Sequence, residues 1–334
     1  MIGRLPAAFA GLLALAAFAQ EPDEPATLDP LGTGEHVYEW VHDWARLPEG
    51  TELGYTHGCI AIDSADRVYV QTNGPESVFV FSPDGELLRT FGDELAGGLH
   101  GMTLVEQGGE ELLYLTHLEG EVIQCTLEGE IRWRLGYPEE SGKYEDGERY
   151  HPTGVAVSKT GDFFVADGYG RHWIHRYDKD RNYVASFGGP GKDKGQLRNP
   201  HGIWIEERDG REILIVADRQ NRRLQVFGLD GKPLRVLTDG IRRPCTVARG
   251  ADGCLVVPDI DGKVTLLDPK GRLLTHLGEH PDPKMRDRKD VPRAEQQPGL
   301  FYSPHGAQWD SSGDLYVVEW LEEGRLTKLR RVRR

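Results

Sequence analysis

The chain is poor in cysteine, has no excess of basic charge and, past its first nineteen residues, has no long apolar run. Its four cysteines, Cys59, Cys125, Cys245 and Cys254, include no C-x-x-C pair. That argues against a zinc-thiolate finger or a dithiol redox motif and leaves them as buried small hydrophobes. The formal net charge of −14 excludes the basic footprint that a nucleic-acid partner requires. Helical periodicity is missing too: the apolar residues fall in short β-branched and aromatic runs broken by Gly, Asp and Asn, a pattern of strands and tight turns.

What is present is a repeated sentence. Residues 199–237 hold four such runs, HGIWI, EILIVAD, RLQVF and PLRVL. The same order recurs over 151–188 and 57–92. A four-strand unit repeated at this length predicts the blades of a β-propeller, an all-β fold in a single domain. The openings of the first strands align at His57, His100, Thr153, His201, Cys245 and His305, which predicts six blades.

The ends of the chain fit that plan. Residues 1–19, with Arg4 before AAFAGLLALAAFA and Ala17-Phe18-Ala19, read as a signal peptide, so a secreted or periplasmic protein is expected, with no membrane insertion after cleavage. Residues 20–35 are acidic and Pro-containing and read as a flexible leader ahead of a propeller over 36–334. The last repeat has only three strands, and His36–Trp44 is expected to supply its fourth and close the ring of a monomer. The basic C-terminus, 325–334, reads as the solvated side of an outer strand. Two polar connections, 137–150 and 279–300, have the length to border a binding face.

In a propeller the first strands line the axis in one direction, so residues at equivalent openings converge on one face. Four of these are histidines: His57, His100, His201 and His305. Three imidazoles with an open fourth position form a catalytic zinc arrangement, whereas four would close a structural one. The alternative is that His-Gly merely starts each strand. The second strands end on the same rim, at Asn73, His117, Tyr169, Arg219, Asp259 and Glu319. Tyr169 and Arg219 fall on adjacent blades, where a phenol beside a cation can act as a base. Asp167 and Asp218 read as turn caps.

The runs PHGIWI…ILIVADRQNRRLQVF and GGPGKDKGQLRNPHG resemble NHL repeats. Through WARLPEG, HPTGVAV…VADGYG, NPHG…VADRQN and SPHG, residues 36–334 more narrowly resemble peptidyl-α-hydroxyglycine α-amidating lyases. The resemblance implies a zinc ion held by His100, His201 and His305, with Tyr169 and Arg219 catalytic. Asn73, His57 and His117 are then the substrate contacts, His57 being also a possible fourth ligand. The expected ligand is a small molecule or peptide at the channel mouth. Two departures stand out: Thr72-Asn73-Gly74 replaces the family's H-R-G arginine, and Gly306 replaces an aspartate that holds structural calcium. A non-enzymatic NHL propeller binding a peptide, glycan or protein partner is the other reading. A calcium-dependent lactone hydrolase ranks behind both, because its hard cation needs oxygen ligands.

Overall fold

The computed structural model describes residues 28–57, 59–145, 149–208 and 210–333. The expected signal peptide, and the leader up to residue 27, lie outside them. The described strands form six antiparallel sheets, the six blades of an all-β propeller. Their innermost strands are Ile60–Ile62, Leu99–Gln107, Gly154–Val157, Pro200–Arg208, Ala248–Arg249 and Pro304–Trp309. Each runs antiparallel to the strand that follows it, and most blades close with a fourth strand half-exposed at the periphery. Among the described residues no helix is long and apolar enough to cross a membrane.

The core lies between the blades. Second and third strands such as Val68–Gln71, Val78–Phe81, Phe163–Ala166 and Lys263–Leu267 are buried along their lengths. Both faces of a middle strand meet a neighbouring blade, so these runs are apolar almost continuously. One cluster joins Val78 and Val80 of the first blade to Leu113, Leu115 and Ile123 of the second. All four cysteines are buried and free, so no disulfide braces the ring.

The last blade has five strands. His36–Val41 pairs with Arg325–Arg331, and Leu31–Thr33 adds a further strand outside it. Residues 31–33, placed by the sequence in a flexible leader, therefore belong to the sheet. Arg325–Arg331 becomes a covered third strand rather than a solvated outer one. Arg325 is bonded to the buried Glu319, and its guanidinium faces Trp40, Phe301 and Tyr302. Lys328 lies 5.0 Å from the Tyr316 ring centroid.

The His-Gly dipeptides have a packing reason of their own. A Cβ on Gly202 would stand 2.7 Å from Cys245 O and from Thr246 Cα, and one on Gly154 would stand 2.9 Å from His201 O. On Gly101 it would meet Gly154 Cα and Thr153 O at 2.9 Å. At these three positions the inner strands of successive blades approach so closely that only glycine fits, whereas the fifth blade carries Thr246 there. The histidine is not required for that approach, since Thr153 precedes Gly154 in the third blade.

Candidate metal and substrate site at the channel mouth

His100, His201 and His305 each sit where the pairing of the first and second strands slips. The register shifts between Leu99 and Gly101, between Pro200 and Ile203, and between Pro304 and Gly306. Such bulges re-aim a side chain out of the pleat, and here three imidazoles turn toward the axis. Ring centroids are 4.7 Å apart for His100–His201, 4.6 Å for His201–His305 and 6.0 Å for His100–His305. His57 joins them from the loop before its strand, 5.2 Å from His100 and 6.3 Å from His305, and is half-buried.

Hydrogen bonds orient two of these rings. His100 Nδ1 donates to Thr153 O at 2.8 Å and His201 Nδ1 donates to Cys245 O at 2.8 Å. A neutral ring that donates through Nδ1 presents the Nε2 lone pair, the form a metal ligand needs. Both ring nitrogens of His305 are buried without a hydrogen-bond partner. An orphaned, buried imidazole costs free energy unless something absent here satisfies it. Burial, then the Arg219 charge and the neighbouring rings, hold His201 and His305 well below the ordinary imidazole value. Burial and then His57 do the same to His100. His57 is lowered to about 4 by burial, Arg219 and Lys289. All four are neutral at pH 7, so the residues present fit a soft or borderline cation such as zinc.

Tyr169 closes one side. Its hydroxyl lies 3.0 Å from His201 Nε2 and 3.3 Å from His100 Nε2, and accepts from an Arg219 guanidinium nitrogen at 3.3 Å. Gly168 and Gly170 let its loop pass where side chains would meet Pro200 O and Arg149 O. Burial raises the Tyr169 phenol by more than Arg219 lowers it. The easier ionisation expected from the adjacent cation is thus outweighed, and the resting group is a neutral phenol. Arg219 is 7% exposed, and its side-chain partners among the described residues are the Tyr169 hydroxyl and the Cys245 sulfur, neither a carboxylate. Its Nε has no partner. A buried guanidinium without a counter-charge is a receptor for an anion.

The remaining expected residues divide. Asp167 and Asp218 act as caps, as anticipated: Asp167 accepts from the His151 and Arg171 amides at 2.8 and 2.6 Å, and Asp218 from the Arg198 amide at 2.7 Å. Asp259 and Glu319 repeat the device on the amides of Arg242 and Arg243 and of Tyr302 and Ser303. In four blades, then, a buried carboxylate ends the second strand and ties down the loop that enters the first. His117 occupies that place in the second blade, opposite Leu99, packed on Gly98 and accepting from the Glu119 amide. Asn73 Oδ1 accepts from Gln71 Nε2 at 3.2 Å. The structure adds Trp320, whose ring is 5.3 Å from His57 and 5.7 Å from His305, with Lys289 Nζ 3.8 Å above it. Lys289 comes from the 279–300 connection, and only its length hinted at this role.

Fold and site together define a six-bladed propeller with a neutral histidine cluster, a phenol and an unpaired guanidinium at the channel mouth. The NHL repeat family model matches residues 150–177. Human NHL repeat-containing protein 3 is 26% identical over 212 residues, 59% of this chain and 58% of that protein. A probable peptidyl-α-hydroxyglycine α-amidating lyase of Caenorhabditis elegans is 28% identical over 155 residues, 46% of this chain and 43% of its own length. The chain spans about half the length of these curated relatives. Among solved structures, a streptogramin B lyase superposes with a TM-score of 0.59 over 85% of this chain and 95% of that one, at 15% identity, a likeness of fold.

Proposed function

We propose that the chain is an exported zinc-dependent lyase that cleaves the C–N bond of α-hydroxyglycine-type peptides, releasing a peptide amide and glyoxylate. The observation that carries the reading is the convergence of His100, His201 and His305 on Tyr169 and the unpaired Arg219. The similarity to relatives named as amidating lyases supports the same chemistry.

His100, His201 and His305 would hold the ion. Zinc supplies Lewis acidity, lowering the pKa of a substrate hydroxyl to the range where a protein base can take its proton. The substrate, a carbinolamide with a terminal carboxylate, brings the anion that Arg219 lacks, and a charge-assisted pair there fixes its orientation. Tyr169, a neutral phenol at rest, would give its proton to solvent once a cation is held beside it, and the phenolate would then take the substrate's hydroxyl proton; the oxygen's electrons form the carbonyl of glyoxylate as the C–N bond breaks. Tyr169 passes that same proton to the departing nitrogen, which leaves as the amide. Trp320 and Lys289 border the mouth where the peptide would enter.

The turn at Thr72-Asn73-Gly74 favours the second reading, a propeller that binds without catalysis. Thr72 Oγ1 and Asn73 are engaged in local hydrogen bonds, and neither carries the charge of the family's arginine. Glyoxylate release from an α-hydroxyglycine peptide, with zinc content measured on the same sample, separates the two. Bound zinc with glyoxylate release supports the lyase; peptide binding without release supports the binding propeller.

A further inference from the structure

We propose that Cys245 is a thiolate ligand of the metal ion, on the same site as His201 and His305. The inference rests on the metal reading above and revises its ligand set, with Cys245 in place of His100 beside His201 and His305.

Three observations carry it. First, the ligand atoms of His201, Cys245 and His305 all lie within 4.8 Å of one another, and all three residues are buried. Second, Cys245 holds in the fifth blade the position that His201 and His305 hold in the fourth and sixth. Each follows a proline paired with the capping carboxylate: Pro200 with Asp218, Pro244 with Asp259, Pro304 with Glu319. Third, the sulfur is uncommitted. Its partners are an Arg219 nitrogen at 3.9 Å and Arg243 O at 4.0 Å, long contacts both. The backbone of the same residue is fixed, its carbonyl accepting from His201 Nδ1 and its amide donating to Pro258 O at 2.9 Å.

The chemistry is consistent. When the ion binds, the Cys245 S–H bond breaks, its proton passes to solvent and the sulfur lone pair goes to the metal. One Arg219 nitrogen, 3.9 Å from the sulfur, stands beside the resulting thiolate, and its unpartnered Nε is left to the substrate carboxylate. With sulfur in the set, His100 is not needed to fill the shell, and its Nε2 stays with the Tyr169 hydroxyl at 3.3 Å. A fourth position then remains for substrate. The set selects zinc or another thiophilic ion over calcium and magnesium.

X-ray absorption on the zinc-loaded protein tests this without relying on activity. The expected shell contains one sulfur at about 2.3 Å beside nitrogens at about 2.0–2.1 Å. In Cys245→Ser the sulfur is absent, and zinc affinity falls by more than the about 10–100-fold that losing an outer-shell partner costs. Stoichiometric zinc with only nitrogen and oxygen neighbours in the unmodified protein overturns the Cys245 assignment and leaves the histidine site standing. No zinc uptake at all overturns both. Because the decisive spectrum is that of the unmodified chain, a misfolded variant does not cloud the result.

Discussion

Arg219 grips Tyr169 in two ways: a guanidinium nitrogen donates to the hydroxyl at 3.3 Å, and its central carbon stands 5.4 Å from the ring centroid. The pair joins the second strands of neighbouring blades, so each side chain positions the other. Tyr169→Phe keeps the ring and removes the hydroxyl. On the lyase reading, kcat for glyoxylate release falls by about 10²–10⁴-fold with zinc content unchanged. Arg219→Gln should instead raise KM for the carboxylate substrate, with a smaller loss for the corresponding amide-capped peptide. Equal losses on both substrates would show that Arg219 does not read the carboxylate.

Gly202→Ala tests the reason for the glycine after His201. Its methyl would meet Cys245 O and Thr246 Cα at 2.7 Å, and backbone cannot yield as a side chain tip can. Overpacking of this kind costs about 1–3 kcal/mol. It also pulls on the Cys245 carbonyl that orients His201. The melting temperature is expected to drop and, on the metal reading, zinc uptake with it; a variant with unchanged melting would refute the close-approach argument.

The capping carboxylates make a separate stability prediction. Asp218 is fully buried and holds Arg223 at 2.7 Å along with Asn221 and Gln225. Its removal in Asp218→Ala leaves a mostly buried guanidinium unpaired, at a cost of about 3–5 kcal/mol. Denaturant titration measures this directly. A loss under about 1 kcal/mol would place the carboxylate among exposed pairs, contrary to its burial.

His175 governs part of the acid limb. It is buried against Tyr144, at 2.8 Å, and Ser186, also at 2.8 Å. Burial and then Lys143 lower it from 6.5 to about 3. Its folded value lies below its unfolded one, so between those values the unfolded chain binds a proton that the folded chain does not. Stability from this group is complete above about pH 6.5 and declines as pH falls, by about 1.4 kcal/mol per pH unit. The gap between urea midpoints at pH 7 and pH 5 should narrow in His175→Gln, the remainder coming from the other buried histidines. Identical pH slopes in the two would remove His175 from the account.

The fold was legible because a propeller writes itself in local terms. Blade period, strand alternation and turn residues depend on neighbours along the chain, and His36–Val41 could be matched to a last repeat short of a strand. Residues 31–33 were not legible: an acidic, Pro-containing stretch carries no alternation, and only pairing with residues 36–38 makes it a strand. The basic tail misled for a related reason, since a run of arginines looks solvated until Glu319, Trp40 and Lys328's aromatic neighbours are placed around it.

By itself, the sequence determined six blades, the converging histidines and the neighbouring Tyr169 and Arg219, because equivalent positions in a repeat must converge. Tertiary structure alone decided what those positions do. The bulges turn three histidines inward, His57 stays half-buried in the loop before its strand, and His117 takes a cap's place. Burial, which no local pattern encodes, leaves Arg219 without a carboxylate, keeps Tyr169 protonated at rest, and sets the Cys245 sulfur beside His201 and His305. Proximity across blades and exclusion of water are properties of the closed ring, and they set the chemistry of its mouth.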